Sequence, residues 1–255
     1  MEEHVKQVAV ITGAARGIGR AVAQQLAGEG YAVIIADLRG EAAAETAQQM
    51  RESGLVAVSQ PCDVTDPDAC GALIAAAVAQ FGQLDVLVNS AGVSRPCASL
   101  EVTPEDWRNM VAVQLDGVFF CSQAAGRQLV SQGQGGCIVN ISSINAEAAF
   151  PRRAAYCAAK AGVQMLTKTL AIEWARYNIR VNAVGPSHTA TEMTLENIRR
   201  GNFSVEEVVQ RVPLGRLASV QDVANAVSFL VSDRASFITG HSLYVDGGYL
   251  AYGYL

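Results

Sequence analysis

Short apolar runs alternate with longer amphipathic stretches along almost the whole chain. The runs have the length and composition of buried strands, and the stretches between them have helical periodicity. Strands are predicted at residues 7–12, 32–36, 56–60, 85–89, 137–141, 179–184 and 242–245. Helices are predicted up to residue 29 and at about 40–53, 67–81, 104–130, 156–177 and 220–232. This alternation predicts one α/β domain over residues 1–255, a doubly wound parallel sheet of about seven strands with helices on both faces.

The region after the sixth predicted strand departs from this alternation. Residues 188–216 are polar and irregular, with a short helical pattern near residues 205–212. An insertion that follows the carboxyl end of a strand is a good candidate for a substrate lid. We therefore expect residues 188–215 to cover a binding site.

Composition and charge narrow the class of protein. The 255 residues are 50% hydrophobic, with a mean hydropathy of +0.20, which is enough for one sizeable core. A net charge of −5 gives no basic field for nucleic acid, and no apolar run approaches the roughly 18 residues of a membrane span. The cysteines form no Cys-x-x-Cys pair, no metal site is predicted, and the first residues lack a secretion-signal pattern. These features favour a cytoplasmic protein that acts on a small molecule.

A glycine-rich turn links the first predicted strand to the first helix. Its sequence is Gly13-Ala14-Ala15-Arg16-Gly17-Ile18-Gly19. Glycines permit a tight turn and the close approach of a phosphate, and a helix N-terminus offers N–H groups to that phosphate. Because a strand precedes the turn and a helix follows it, dinucleotide binding is favoured over a plain turn.

The second predicted strand ends at an acidic residue, Asp37, eighteen residues after Gly19. An acid about 20 residues beyond such a turn is placed to hydrogen-bond a ribose 2′-OH and to repel a 2′-phosphate. Arg16 and Arg39 favour the opposite choice, since either could meet a 2′-phosphate. We predict NAD rather than NADP, because a carboxylate at the ribose repels a 2′-phosphate more strongly than a mobile surface arginine attracts it. A capping or turn role for Asp37 is the structural alternative.

Polar side chains near the fifth predicted strand indicate proton-transfer chemistry. Ser142 and Ser143 follow the strand end, and Tyr156 and Lys160 lie one helical turn apart on the same helix face. A nearby ammonium lowers the pKa of a phenol from about 10, and a serine hydroxyl can donate to a substrate oxygen. This set suits proton exchange with an alcohol or a carbonyl, although a Tyr-x-x-x-Lys pair alone is usually a surface pair.

Together these motifs resemble those of the short-chain dehydrogenase/reductase family, whose fold is a single-domain Rossmann-type sheet. The resemblance covers the chain from Val8 to about Gly248. The motifs that carry it are Thr12-Gly13-x-x-x-Gly17-Ile18-Gly19, Asp63-Val64, Asn89-x-Ala91-Gly92, Ser143 with Tyr156 and Lys160, Arg180-Val181-Asn182-x-Val184-x-Pro186 and Tyr244-Val245-Asp246-Gly247-Gly248.

The resemblance implies a role for each matching residue. Tyr156 is the implied general acid/base, and Lys160 lowers its pKa and binds the nicotinamide ribose. Ser143 orients the substrate oxygen, with Ser142 ranked second. The implied reaction is hydride transfer between NAD and a secondary alcohol. The implied cofactor-binding residues are Gly13, Arg16, Gly17, Ile18, Gly19, Asp37, Asp63, Val64, Asn89, Ala91, Gly92, Tyr156, Lys160, Pro186, Thr189 and Thr191.

The chain departs from the family pattern at four places. Gln114 stands where the family usually has an asparagine that holds a proton-relay water, and its extra methylene puts the relay in doubt. Gln114 remains a catalytic candidate. Ser90 stands for the second asparagine of the family's N-N-A-G run, and Ser187 for the glycine after the motif's last proline. Thr189 stands for the apolar residue whose backbone meets the carboxamide.

The substrate is indicated only by polar residues expected near the catalytic set. Asn145 and Glu147 lie where a fatty or steroid substrate would suit apolar side chains, so a sugar, a polyol or a hydroxy acid is favoured. The pair Arg152-Arg153 could hold a carboxylate, phosphate or sulfonate, or could point to water. The predicted substrate-contacting residues are Ser143, Arg95, Asn145, Glu147, Arg152 and His188.

Two other functions stay open. A 3-oxoacyl-carrier-protein reductase would use NADPH and need a basic docking patch, and Asp37 and the sparse basic residues of the fourth helix argue against it. A cofactor-binding sensor or scaffold without catalysis is supported only by Gln114. The resemblance also implies a homotetramer, and the small residues at 158–162 would permit the close helix packing that a subunit interface needs.

Overall fold

A computed structural model describes residues 7–201 and 203–253. Residues 1–6, 202, 254 and 255 of the predicted domain lie outside the described residues. The described chain contains a seven-stranded sheet. Its strands are β1 (Val8–Thr12), β2 (Ala32–Asp37), β3 (Ala57–Pro61), β4 (Val86–Asn89), β5 (Gly136–Ile141), β6 (Ile179–Pro186) and β7 (Ser242–Val245). The predicted α/β fold class is confirmed.

All strand pairs are parallel, and the spatial order is β3-β2-β1-β4-β5-β6-β7. The order reverses at β1, which pairs with β2 on one side and with β4 on the other. Open α/β sheets bind ligands in the crevice at such a reversal, outside the carboxyl ends of the strands. The topology therefore places the segments that follow β1 and β4 at a binding site.

Helices cover both faces of the sheet. They are α1 (Gly17–Gly28), α2 (Gly40–Glu52), α3 (Pro67–Phe81), α4 (Pro104–Val111), α5 (Gly117–Gln132), α6 (Ala154–Trp174), α7 (Glu192–Arg199), α8 (Val205–Gln210) and α9 (Val220–Val231). Leu26 of α1 and Val227 of α9 belong to one buried core, and Leu73 of α3, Leu129 of α5 and Leu170 of α6 belong to a second. Alternate strand side chains point to opposite faces, so β1 to β6 contribute to both cores, whereas β7 contributes only to the first. Among the described residues, no helix is long and apolar enough to cross a membrane.

The predicted helix 104–130 is interrupted in the structure. Helix α4 ends at Val111, a π-helical segment covers Ala112–Asp116, and α5 begins at Gly117. The wider turn buries Gln114, and Gly117 packs so closely on Val64 that a Cβ would lie 2.7 Å from Val64 Cγ2. Such single-turn π segments are frequent at functional sites. The apolar pattern did not reveal it, because one extra residue in a turn hardly changes helical periodicity.

The predicted lid is more ordered than expected. Helix α8 corresponds to the short helical pattern near residues 205–212, whereas α7 was not predicted. The Thr191 side chain accepts a hydrogen bond from the backbone N–H of Thr194 at the start of α7, and Ser204 and Glu207 form a capping box at the start of α8. Such caps satisfy the free N–H groups of short helices, which explains how a polar stretch becomes helical.

Candidate active site

A cavity of about 700 Å³ opens at the carboxyl ends of the strands. Its walls come from the glycine turn after β1, the segments that follow β2 to β6, the start of α6, and the lid with α7 and α8. The cavity is lined by every predicted site residue except three, which are Asn89, Arg95 and Glu147. The structure therefore brings most of the predicted cofactor and catalytic residues to one place.

The glycine turn and the start of α1 are shaped to receive an anion. Gly13 and Gly17 have φ angles of +63° and +59°, a region that side chains rarely allow. A Cβ on Gly13 would lie 2.6 Å from Ala91 Cα. The turn can therefore contact the segment after β4 only because residue 13 has no side chain. The side chain of Arg16, the N-cap residue of α1, forms no hydrogen bond with the backbone N–H groups of the helix. N-cap side chains do form such hydrogen bonds in α3, α4, α7, α8 and α9. The uncapped N–H groups of α1 fit the pyrophosphate of a dinucleotide.

The carboxylate of Asp37 is buried at the end of β2 and supports the glycine turn. Its Oδ2 accepts a hydrogen bond from Ala15 N at 3.1 Å, and its Oδ1 accepts from N and Nε of Arg39 at 3.0 and 3.2 Å. Thr46 Oγ1 donates to Ala15 O at 3.0 Å and fixes the same turn from α2. Asp37 therefore places a negative charge at the cavity, and Arg39 lies beside it as a counter-charge.

The structure places Asp63 on the cavity and Asn89 outside it. Asp63 Oδ1 accepts hydrogen bonds from N and Oγ1 of Thr65 at 2.9 and 2.8 Å, which closes the turn before α3. Asn89 is 3% exposed, and its Nδ2 donates to Ser122 Oγ and Asn140 Oδ1, both at 2.9 Å. Asn89 thus anchors the end of β4, while the residues that follow it line the cavity.

The hydroxyl of Ser143 lies within hydrogen-bond reach of the Tyr156 phenol. Ser143 Oγ accepts from Asn145 N at 3.1 Å and donates to Asn145 Oδ1 at 3.2 Å. The Ser142 hydroxyl instead donates to the backbone carbonyl of Lys160 at 3.4 Å. Ser143, rather than Ser142, is therefore the hydroxyl presented to the phenol.

Lys160 is buried and Tyr156 is partly buried, and burial opposes the charged form of each. Burial raises the pKa of the Tyr156 phenol, whereas the hydrogen bond with Ser143 and the positive charge of Arg153 lower it. Burial lowers the pKa of the Lys160 ammonium to about 7. Lys160 Nζ donates to Ile141 O at 2.8 Å and lies 5.7 Å from the centre of the Tyr156 ring. A phenolate on Tyr156 and an ammonium on Lys160 would therefore favour each other's charged forms.

The start of α7 lies against the glycine turn and the start of α1. Arg16 Nη1 lies 3.1 Å from Glu192 Oε2 at the start of α7, and both side chains are half exposed or more, so the pair is worth only about 0–1 kcal/mol. A Cβ on Gly17 would lie 3.7 Å from Thr191 Cγ2. Thr189 is buried and donates its hydroxyl to a backbone carbonyl at 3.1 Å. Pro186, which ends β6, completes this wall.

Gln114 is 2% exposed and lines the cavity from the π-helical segment. Its Nε2 donates to Val93 O at 2.5 Å, and its Oε1 has no hydrogen-bond partner among the described residues. A Cβ on Gly92 would lie 3.1 Å from both terminal atoms of the amide. The longer side chain therefore reaches the segment after β4 and holds it.

Known proteins resemble this chain over nearly its whole length. The family model described as Enoyl-(Acyl carrier protein) reductase matches residues 13–250. A cis-4-hydroxycyclohexanecarboxylate dehydrogenase of Sinomonas cyclohexanicum is 42% identical, over 98% of this chain and 99% of that protein. The chain belongs to the short-chain dehydrogenase/reductase family.

Two further members of the short-chain dehydrogenase/reductase family are similar to it. A 3-oxoacyl-[acyl-carrier-protein] reductase of Staphylococcus aureus is 39% identical, over 94% of this chain and 96% of that protein. A gluconate 5-dehydrogenase from Burkholderia cenocepacia J2315, solved in complex with NADP and tartrate, has a TM-score of 0.91 and 37% identity, covering 96% of each chain. The protein is therefore an oxidoreductase that acts on CH–OH groups with a nicotinamide cofactor.

Two predicted substrate residues lie outside the cavity of this short-chain dehydrogenase/reductase. Arg95 Nη1 pairs with Asp106 Oδ1 at 2.7 Å on the surface. Glu147 is exposed and accepts a hydrogen bond from the Tyr244 hydroxyl at 3.1 Å. Arg152, by contrast, does line the cavity, although it is exposed.

Aromatic rings also line the cavity. His188 lies 5.7 Å from Phe150, 5.1 Å from Phe203 and 6.3 Å from Tyr249, measured between ring centroids. We refer to these four residues as the aromatic cluster. Burial, with a further contribution from Arg153, lowers the pKa of His188 to about 4, so its ring is neutral. Of these four residues, only His188 was predicted from the sequence to contact the substrate, because the other three rings come from distant segments that no local pattern connects.

Proposed function

We propose that this protein is an NAD-dependent dehydrogenase that interconverts a secondary alcohol and a ketone in a small polar substrate, a sugar, polyol or hydroxy acid. The observation that carries the proposal is the set of Ser143, Tyr156 and Lys160 on one cavity, with Ser143 and Lys160 buried and Tyr156 partly buried. The phenol lies beside a hydroxyl donor on one side and an ammonium on the other, which is the arrangement that proton exchange with a substrate oxygen needs.

Ser143 and Tyr156 act on the substrate oxygen. In oxidation, the Tyr156 phenolate takes the hydroxyl proton, and Ser143 Oγ donates a hydrogen bond that orients the same oxygen. A bound nicotinamide cofactor would supply hydride transfer from and to the carbinol carbon. In reduction, Tyr156 gives its proton to the forming alkoxide. Lys160, held by Ile141 O, stabilises the phenolate with its ammonium.

NAD is the proposed cofactor because of the charge at the end of β2. The Asp37 carboxylate lines the cavity and would repel a 2′-phosphate while accepting from a 2′-hydroxyl. NADP is the second candidate, supported by Arg39, which lies against Asp37 and could hold a phosphate. The related gluconate 5-dehydrogenase was solved with NADP.

A 3-oxoacyl-carrier-protein reductase is the second candidate function, supported by the Staphylococcus aureus relative. The Asp37 carboxylate argues against the NADPH that such an enzyme would use. The sensor or scaffold interpretation loses its support, because the only departure that favoured it, Gln114, has a packing role on the Val93 carbonyl.

We also propose that the enzyme is a cytoplasmic homotetramer. Met165 and Ile172 of α6 are 61% and 80% exposed, and they lie near the small residues that would permit close helix packing. The six free thiols agree with a reducing compartment. Sedimentation velocity at micromolar concentration tests the assembly, and a monomer would contradict it.

The experiment that tests the reaction is reduction of NAD and of NADP at alkaline pH with sugars, polyols, hydroxy acids and simple secondary alcohols. Wild-type turnover with NAD on one polar class is expected, and Tyr156→Phe is expected to lose about 10²–10⁴-fold of it. Cofactor binding, measured by fluorescence titration, should be unchanged in that variant. Tyr177→Phe, which lies outside the cavity, is the matched control. Near wild-type turnover by Tyr156→Phe would remove Tyr156 from its role.

A further inference from the structure

Arg153 is a half-buried cation at the substrate end of the cavity. It is the N-cap residue of α6, three positions before Tyr156, so the two residues lie on the same face of the helix. Its Nη1 donates a hydrogen bond to Ser94 Oγ on the segment after β4, and both residues line the cavity. Its positive charge lowers the pKa of Tyr156 and of His188, two residues that line the same cavity.

No carboxylate of the described residues forms an ion pair with Arg153, because the acidic side chains that line the cavity are engaged elsewhere. Asp37 pairs with Arg39, and Glu192 pairs with Arg16. Asp63 closes a turn, and Glu207 belongs to the capping box of α8. A half-buried guanidinium without an anion is unfavourable, so the site is suited to a ligand that brings one.

An aromatic surface lies in the same cavity as Arg153. Phe150, Phe203 and Tyr249 surround the neutral ring of His188, and all four side chains face the same cavity. Aromatic faces bind a ring or a short hydrocarbon better than a chain of hydroxyl groups. A polyol would find few partners on these faces beyond the buried Nδ1 of His188, which has no hydrogen-bond partner among the described residues, and each unpaired hydroxyl would cost binding energy.

We propose that Arg153 binds the carboxylate of the substrate, and that the substrate is a hydroxy acid whose apolar ring or short chain packs on the aromatic cluster. The carboxylate and the reacting hydroxyl then occupy opposite ends of one pocket, at Arg153 and at Ser143 with Tyr156. This inference rests on the proposed function, since it assigns the substrate class of that site. The names of two related proteins, a hydroxycyclohexanecarboxylate dehydrogenase and an enzyme solved with tartrate, agree with it.

A binding measurement tests the carboxylate site without turnover. Thermal shift of the NADH complex is measured with cyclohexanecarboxylate and with neutral cyclohexanecarboxamide. The acid should bind the wild type about tenfold or more tightly than the amide. Arg153→Gln should lose that preference, Arg153→Lys should keep part of it, and Arg127→Gln, an exposed arginine outside the cavity, should keep all of it. Equal binding of acid and amide by the wild type would overturn the proposal.

A turnover measurement separates a binding role from an effect on Tyr156. With 4-hydroxycyclohexanecarboxylate, Arg153→Gln should raise KM about tenfold or more, while KM for 4-hydroxycyclohexanecarboxamide stays within about twofold. The loss of the positive charge should also raise the apparent pKa of the reaction, equally for both substrates. Equal KM increases for acid and amide would overturn the proposal, leaving Arg153 a positioning residue.

The two proposals fail in different ways. If the wild type oxidises neutral secondary alcohols with the same KM as the matching acids, the dehydrogenase function stands and the assignment of Arg153 falls. If no alcohol is oxidised with either cofactor but the acid still binds through Arg153, the proposed reaction falls and the carboxylate site stands. If inorganic phosphate or a sulfonate competes for Arg153 more strongly than the carboxylate, the substrate class is wrong.

Discussion

The Nζ of Lys160 donates a 2.8 Å hydrogen bond to the carbonyl oxygen of Ile141. The bond joins α6 to the last residue of β5 and fixes the ammonium beneath the Tyr156 ring, 5.7 Å from its centre. Burial lowers the pKa of this ammonium to about 7, so its charged form is unfavourable in the folded protein without an anion nearby. The phenolate of Tyr156 is the anion that the arrangement favours.

Lys160→Met is expected to abolish turnover and to change how stability depends on pH. An unfolded lysine has a pKa of about 10.4, whereas the pKa of folded Lys160 is about 7. Between these values the unfolded chain binds more protons, so this residue makes the free energy of unfolding rise with pH, by at most about 1.4 kcal/mol per pH unit. The gain is absent below pH 7, where both states are protonated.

Urea unfolding at pH 7, 8 and 9 measures this effect. The wild-type value minus the Lys160→Met value should increase across the three pH values. Lys168→Met, which removes an exposed lysine of the same helix, should give a constant difference. A constant difference for Lys160→Met as well would show that Lys160 keeps an ordinary pKa in the folded protein.

Thiol reactivity should divide the six cysteines into two groups. Cys62, Cys70 and Cys121 form a buried cluster, with 3.3 Å between the sulfurs of Cys70 and Cys121, and Cys137 is buried separately. The hydrogen bond to Cys121 and burial raise the pKa of Cys70 to about 12, and burial raises that of Cys137 to about 11. Thiols with such pKa values hold almost no thiolate at pH 8.

A chromogenic disulfide reagent at pH 8 should therefore modify the partly exposed Cys97 and Cys157 first and the four buried thiols only after unfolding. Peptide mapping after a short exposure identifies the modified residues. Rapid modification of Cys70 in the folded enzyme would contradict the buried cluster.

The sheet and the shared helix face of Tyr156 and Lys160 could be predicted from the sequence because each depends on local pattern. The apolar runs of β1, β2, β4, β5 and β6 are almost entirely buried and directly predict strands, and the spacing of Tyr156 and Lys160 places both on one helix face. The aromatic cluster could not be predicted in this way. Phe150, Phe203 and Tyr249 come together only through the tertiary fold.

The sequence also could not decide which way a polar side chain points. Asn89 follows a strand whose end lies at the cavity, but its amide turns inward to Ser122 and Asn140. Arg95 and Glu147 lie near the site in sequence, yet each finds a partner on the surface. A motif position fixes the backbone, whereas the hydrogen bonds available in the fold fix the side chain.

Gln114→Asn is expected to lower stability. The shorter side chain does not reach Val93 O, and losing one hydrogen bond costs about 1 kcal/mol, or about 2–4 °C in Tm for a chain of this size. The segment after β4 lines the cavity, so the KM for the cofactor should rise as well. Calorimetry and cofactor titration measure both effects, with exposed Gln48→Asn as the matched control. An unchanged Tm would show that the Val93 bond carries no stability.

Asp37→Asn is expected to shift cofactor preference toward NADP. Asparagine keeps an acceptor for Ala15 N, so the glycine turn retains its hydrogen bond, and only the negative charge at the end of β2 is lost. Without that charge, Arg39 is released to meet a 2′-phosphate. The ratio of kcat/KM for NADP to that for NAD should rise about tenfold or more.

Arg39→Gln provides the opposite change at the same place. It removes the counter-charge from Asp37 and leaves the carboxylate, so the same ratio should fall below the wild-type value. Two variants that move the ratio in opposite directions at unchanged Tm would show that the charge at this strand end, rather than the fold of the turn, selects the cofactor. If Asp37→Asn folds normally and leaves the ratio unchanged, Asp37 only supports the turn, and the preference for NAD has another origin.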